Sequence, residues 1–174
     1  MNILDKFKLD GKVAFITGGA KGIGKSIAIG YAQAGADVAI VDIDMQAAEA
    51  TAAEIAKDYG VKTIAIKTDV TKADEVESMV AKVNEHFGRI DVAVANAGIA
   101  LNVAADEMSL AEWQKVIDIN LTGVFLTAQA AGKVMIAQGG GSIINTASMS
   151  GHIVNTPQPQ CAYNASKAAV SQLT

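Results

Sequence analysis

Residues 13–24 read VAFITGGAKGIG, Val13 through Gly24. Val13–Thr17 is short, apolar and rich in β-branched residues, the pattern of a strand buried on both faces of a parallel sheet. Gly18, Gly19, Gly22 and Gly24 then turn the chain sharply into a helix. A glycine-rich turn at a strand-to-helix junction lets backbone N–H groups and the helix N-terminus approach a pyrophosphate closely. Glycines at such spacing also mark ordinary turns, so context decides. Here an acid, Asp42, ends the next apolar run eighteen residues after Gly24. Strand, glycine turn, helix and acid together are a dinucleotide fingerprint. It assigns Gly18, Lys21, Gly22, Ile23, Gly24 and Asp42 to cofactor binding.

Outward from this stretch the same alternation recurs. Val38–Asp42, Thr63–Ile66, Ile90–Ala95 and Ser142–Ala147 are further apolar runs and are predicted strands. Between them, Val76, Met79, Val80, Val83 and Phe87 follow the spacing of a helix with one buried face. Ala47, Ala48, Thr51, Ala52 and Ile55 do so one unit earlier, with Asp44 as N-cap. Gly35, Gly60 and Gly88 fall where helices should end. Strands alternating with helices predict an α/β fold: a Rossmann-type doubly wound parallel sheet with helices on both faces and right-handed crossovers. No repeat or linker divides it, so residues 1–174 are expected to form a single dinucleotide-binding domain.

The loop is Gly-x-x-x-Gly-x-Gly, and that variant resembles the short-chain dehydrogenase/reductase family. The likeness runs along the whole chain: Thr17–Gly24, then Asp69-Val70, Asn96-Ala97-Gly98, Asn120, Ser148 and the pair Tyr163/Lys167. Each motif alone is unspecific; all in order make a specific signal. The resemblance implies that Asp69 accepts a hydrogen bond from the adenine amino group, with Val70 alongside. It implies that Asn96, Ala97 and Gly98 wall the ribose, where small residues admit the cofactor against the backbone. Asp69 or Thr71 would equally cap the helix that runs to Phe87, and Asn96 would equally clamp two strands. For cofactor preference, Asp42 and Lys21 pull in opposite directions. A carboxylate at the end of the second strand accepts from both ribose hydroxyls and repels a 2′-phosphate, whereas a loop lysine pairs with one. The acid holds the ribose position, so NAD(H) is expected, with NADP the alternative.

Tyr163 and Lys167 lie four residues apart, which on a helix puts them on one face. A free phenol has a pKa of about 10 and exchanges protons poorly at neutral pH. A neighbouring ammonium, or the positive charge of an oxidised nicotinamide, favours the phenolate. A tyrosine so placed protonates a ketone oxygen or takes an alcohol proton. Spacing alone would leave the pair as an ordinary amphipathic face. The family pattern reverses that reading: it implies a catalytic set of Asn120, Ser148, Tyr163 and Lys167. In it Ser148 donates to the substrate oxygen, Lys167 holds the nicotinamide ribose, and Asn120 orients a water that links Lys167 to solvent. Asn120 also has an ordinary explanation as a helix-internal polar group satisfied by its neighbours.

Bulk properties narrow the partners. The 174 residues are 51% hydrophobic and 18% charged, the balance of a globular domain with a real core. A net charge of −4 advertises no nucleic-acid partner. Met1–Asp10 carries Asp5, Lys6 and Lys8 and lacks the apolar core of a signal peptide, and the uncharged stretch Ile119–Gly132 falls short of a membrane span. One cysteine, Cys161, permits no internal disulfide. A cytoplasmic protein without a membrane or metal partner is expected. The segment Ser148–Val170, with PQPQ before the tyrosine, resembles polyol dehydrogenases and ketose reductases, which implies a sugar alcohol or ketose as substrate. His152, Asn155, Gln158 and Gln160 are candidate partners for its hydroxyls. A 3-oxoacyl-thioester reductase using NADPH and a non-catalytic nucleotide sensor are the alternatives. The chain stops at Thr174 while Ala169, Val170 and Leu173 still keep helical spacing. It is therefore expected to lack a C-terminal part, leaving Ser142–Ala147 as an open sheet edge. The resemblance implies a homo-oligomer, tetramer or dimer, in the full-length protein, built on the Leu110–Gln138 and Tyr163-bearing helices.

Overall fold

The computed structural model describes residues 2–154 and 156–174. Five parallel strands form one sheet in the order β3-β2-β1-β4-β5. These are β1 (Val13–Thr17), β2 (Asp37–Asp42), β3 (Thr63–Lys67), β4 (Val92–Ala95) and β5 (Ser142–Asn145). The helices between them are α1 (Gly22–Gln33), α2 (Met45–Tyr59), α3 (Ala73–Phe87), α4 (Leu110–Ile117) and α5 (Gly123–Gln138), and α6 (Cys161–Leu173) follows β5. A 3₁₀ turn, Ile3–Phe7, precedes the sheet.

The near-continuous apolar strands are explained by the two faces they bury. Successive side chains of a strand point to opposite faces. Val13, Phe15, Ala39 and Val41 therefore pack with Val76, Met79, Val80 and Val83 of α3 and with Ala130, Ala131 and Met135 of α5. Ala14, Ile16, Val38 and Ile40 pack on the other face with Ala28 and Ala32 of α1 and Ala48, Ala52 and Ile55 of α2. Both faces are covered, as the doubly wound expectation requires.

Several boundaries differ from those read in the sequence. β4 starts at Val92, not Ile90, because Asp91 turns its carboxylate back to the Val13 N–H and the Arg89 guanidinium. β5 ends at Asn145, short of Ala147. β2 and β3 each run one residue longer than expected. α3 starts at Ala73 with Lys72 at its N-cap position, so neither Asp69 nor Thr71 caps it; both the N–H and the hydroxyl of Thr71 bond to Asp69 Oδ1 instead. Asp44 does cap α2, accepting from the Ala47 N–H, and Gly60 and Gly88 end α2 and α3 in the left-handed conformation. Between α4 and α5 the chain widens into a π-helical turn, Asp118–Thr122, without leaving the helical path. The resulting run, Leu110–Gln138, is long and apolar enough by length and composition to cross a membrane, unlike the shorter stretch noted above. In this fold it packs against α3, β4 and β5. β5 is an edge strand, with Ile144 exposed.

Strand order fixes where the site must be. The chain winds outward from β1 to β2 and β3, then crosses back to β4 and β5. The loops after β1 and β4 therefore part in opposite directions and leave a crevice at the carboxyl ends of the strands.

Candidate active site

A cleft of about 660 Å³ lies in that crevice. It is lined by Gly18, Lys21, Ile23 and Gly24 from the loop after β1 and by Asp42 from the end of β2. Asp69 and Val70 follow β3, Asn96, Ala97 and Gly98 follow β4, and Tyr163 and Lys167 come from α6. Of the predicted site residues, Gly22, Asn120 and Ser148 do not line it.

The glycine loop is shaped by close backbone contacts. A side chain on Gly24 would place its Cβ 2.0 Å from the Gly18 carbonyl oxygen, so only glycine fits. Gly18 has φ +64°, and a Cβ there would meet Ala97 Cα at 3.0 Å. Gly22, φ +57°, faces open space. Asn96 is the clamp between β1 and β4: its Nδ2 donates to the Thr17 carbonyl at 3.0 Å and its backbone N–H donates to Thr17 Oγ1. The same threonine oxygen accepts from the Ala97 N–H.

Asp42 is buried, and its carboxylate is fixed by two main-chain donors. Oδ2 accepts from the Ala20 N–H and Oδ1 from the Asp44 N–H, both at 3.1 Å. Lys21, the loop cation, is exposed and has Asp44 Oδ2 at 3.8 Å. Asp69 uses Oδ1 for Thr71, and these bonds hold its pKa below the usual carboxylate range. Thr68 beside it is 2% exposed, lines the cleft, and has no hydrogen-bond partner for Oγ1 among the described residues.

The Tyr163/Lys167 spacing is realised on one face of α6. Lys167 Nζ lies 5.8 Å from the Tyr163 ring centroid and donates to the Thr146 carbonyl at 2.5 Å. Lys167 is 3% exposed, and burial pulls its pKa below the ordinary lysine value. Asn120 sits in the π-helical turn, fully buried behind the cleft wall. Its Oδ1 accepts from the Ile99 N–H, and its Nδ2 donates to the Ile99 carbonyl and to Ser166 Oγ. Ser166 in turn donates to the Tyr163 carbonyl. Asn120 thus ties the loop after β4 to α6, which carries Tyr163 and Lys167.

Ser148 opens the 3₁₀ turn Met149–Gly151, and its Oγ accepts from the Ser150 N–H at 3.1 Å. That leaves its hydroxyl proton free to donate. The turn is seated on α6: a Cβ on Gly151 would lie 2.6 Å from Ala168 N and 2.7 Å from Lys167 C.

Of the residues considered for substrate hydroxyls, Gln160 lines the cleft, whereas Gln158 and His152 are exposed outside it. Asn155 lies outside the described residues. Sequence reasoning missed Thr68, Thr146 and Ser166. Thr68 is adjacent to the Asp69 motif and at a strand's carboxyl end, which was signal enough; Thr146 acts through its carbonyl, which no side-chain pattern reveals.

A family model described as short chain dehydrogenase matches residues 12–174. The chain is 46% identical over 175 residues to a protein of Yarrowia lipolytica named a probable NADP-dependent mannitol dehydrogenase, covering 99% of this chain and 63% of that protein. It is 44% identical to a sorbose reductase of Candida albicans, covering 99% of this chain and 62% of the relative. It therefore spans a little under two thirds of these curated relatives. A crystal structure of a short-chain type dehydrogenase/reductase from Mycobacterium marinum superposes with a TM-score of 0.97 at 51% identity, over 100% of this chain and 70% of that one. Sequence, strand order and cleft agree, and the chain belongs to the short-chain dehydrogenase/reductase family.

Proposed function

We propose that the protein is an oxidoreductase that interconverts a ketose and its sugar alcohol with a nicotinamide dinucleotide, NAD(H) preferred, and Tyr163 as general acid/base. The observation that carries this reading is the meeting of the glycine loop, Asp42 and the Tyr163/Lys167 pair in one cleft.

The residues fit a dinucleotide. Gly18 and Gly24 keep backbone where a side chain would intrude, Gly22 is open, and the buried Thr68 hydroxyl awaits a partner. Gly18, Lys21, Gly22, Ile23 and Gly24 would hold the pyrophosphate, Asp42 the adenosine ribose, and Asp69 and Val70 the adenine. Asn96, Ala97, Gly98, Tyr163 and Lys167 would hold the nicotinamide half. When bound, the nicotinamide supplies the hydride for reduction or accepts it in oxidation.

The chain's own residues then manage one proton. In reduction Ser148, which lies outside the cleft lining but bonds to Ser150, the partner of the cleft-lining Gln160, donates a hydrogen bond to the substrate carbonyl oxygen, and Tyr163 gives that oxygen its proton. The Lys167 ammonium stabilises the phenolate left behind. Burial weakens Lys167's hold on its proton, so it can pass that proton towards Tyr163 and regain one from solvent at the open cleft. Asn120 holds α6 in register for this through Ser166.

For the cofactor, Asp42 is pinned at both oxygens and has no freedom to swing away from a 2′-phosphate. NADPH is favoured instead by the exposed Lys21 and by the NADP-dependent relative. One panel decides: oxidation of NADH and NADPH by the full-length protein with fructose, xylulose, sorbose and acetoacetyl thioesters. Ketose reduction with a higher kcat/KM for NADH is expected. Turnover of the thioester alone with NADPH would sink the polyol reading. Tight NADH binding with no turnover would make the protein a sensor.

A further inference from the structure

Gln160 lies three residues before Tyr163 and lines the same cleft. A glutamine amide offers two N–H donors and a carbonyl oxygen with two lone pairs. Both donors are occupied: Nε2 donates to Asn164 Oδ1 at 3.2 Å and to Ser150 Oγ at 3.4 Å. Asn164 is one turn further along α6, and Ser150 is buried in the turn that Gly151 seats on that helix. The main chain of Gln160 is itself paired with Val103 in the loop after β4. These bonds orient the amide, with Oε1 an acceptor to which no N–H or O–H donates among the described residues. Ser150 also donates its backbone N–H to Ser148 Oγ. Gln160 and Ser148 thus bond to the same residue, Ser150.

A fixed acceptor beside a reacting carbonyl is satisfied by a neighbouring O–H and left desolvated by a C–H. We propose that Gln160 Oε1 accepts a hydrogen bond from a hydroxyl on a carbon next to the reacting one, and so selects vicinally hydroxylated ketones and alcohols over simple ones. This rests on the dehydrogenase reading above and adds the residue that recognises the substrate. A site that loses a hydrogen bond shielded from water by the bound substrate discriminates by about 10–100-fold.

The test compares erythrulose with butanone, which share a carbon skeleton, using the full-length protein and NADH or NADPH. The quantity read is the ratio of the two kcat/KM values in the parent, Gln160→Leu and Gln160→Glu. Leucine fills similar space and cannot accept; glutamate still accepts but loses both donors. The ratio is expected to favour erythrulose in the parent, to fall about 10–100-fold in Gln160→Leu, and to stay within about threefold in Gln160→Glu. Glutamate slows both substrates together, because Ser150 and Asn164 lose their donor. A ratio unchanged in Gln160→Leu, or lost equally in Gln160→Glu, assigns the residue to scaffolding and overturns the inference. A parent that reduces both ketones equally overturns it too, yet leaves the dehydrogenase reading intact. A parent that binds NADH and reduces neither overturns both.

Discussion

Lys167 carries its charge where water is nearly excluded, and a buried ammonium is costly unless its donors find partners. The Thr146 carbonyl takes one of the three, and Lys167 lines the cleft together with Tyr163. In the proposed mechanism the lysine touches both tyrosine and cofactor, whereas the Tyr163 hydroxyl is needed only when a proton moves. The two substitutions should therefore separate. Tyr163→Phe is expected to lower kcat by about 10²–10⁴-fold with NADH affinity within about twofold of the parent. Lys167→Met should lower both kcat and NADH affinity. Stopped-flow hydride transfer and NADH fluorescence titration measure the two quantities; a Tyr163→Phe protein with parental kcat would remove Tyr163 from the proton step. The spacing of Tyr163 and Lys167 made them legible as one helix face, but only the family resemblance marked that face as a candidate for proton transfer. Asn120 was legible as a family position, yet its three bonds to Ile99 and Ser166 emerge only from tertiary packing.

Among elements, the contact that most constrains the site is the 3₁₀ turn Met149–Gly151 against α6. Gly151 does not have the positive φ that favours glycine; what it supplies is space. Its neighbours there are backbone atoms of Lys167 and Ala168, which have no rotamer to yield. In Gly151→Ala the turn must lift from the helix and carry Ser148 with it. Overpacking of this kind costs about 1–3 kcal/mol. The expected result is an unfolding free energy lower by that amount in urea titration, together with a fall in kcat for ketose reduction that exceeds any change in NADH affinity. Parental midpoint and parental kcat would show that the turn adapts. This glycine looked like any loop residue in the sequence, because the reason for it is a helix beginning ten residues later. The π-helical turn between α4 and α5 was hidden for a related reason. One extra residue per turn barely disturbs an apolar pattern, yet it rotates everything after it. The strands themselves were legible to within one or two residues, since burial on two faces leaves little room for polar side chains.

The molecule divides its tasks between the two ends of its sheet. Every loop that builds the cleft leaves the carboxyl ends of the strands, while the amino ends of β1 and β4 are stapled together by Asp91. Its carboxylate accepts from the Val13 N–H, from Lys12 Nζ and from the Arg89 guanidinium. Burial pushes the Asp91 carboxyl up, but the hydrogen bonds from Arg89, Val13 and Lys12 outweigh it and hold the pKa at about 2. Because the folded pKa lies below the ordinary value of 3.8, the carboxylate stabilises the fold above that ordinary value. The contribution is lost as pH falls from about 4 towards 2. Its size is on the order of 2 kcal/mol at most, since Lys12 and Arg89 are half exposed and screened by salt. In the sequence Asp91 read as part of a strand running from Ile90, so this staple was not foreseen; carboxylates that bond backward to a neighbouring strand leave no periodic trace. Asp91→Asn keeps the shape and removes the charge. Its urea midpoint should fall below the parent's by an amount that is constant between pH 5 and 7 and shrinks as pH drops below about 4. Because Asp91 stands at the far end of the strands from the cleft, NADH affinity and kcat at pH 7 should be those of the parent. A stability gap that persists undiminished at pH 3 would mean that the carboxylate's shape, not its charge, holds β1 to β4. A change in kcat without one in stability would mean that the two ends of the sheet are coupled after all.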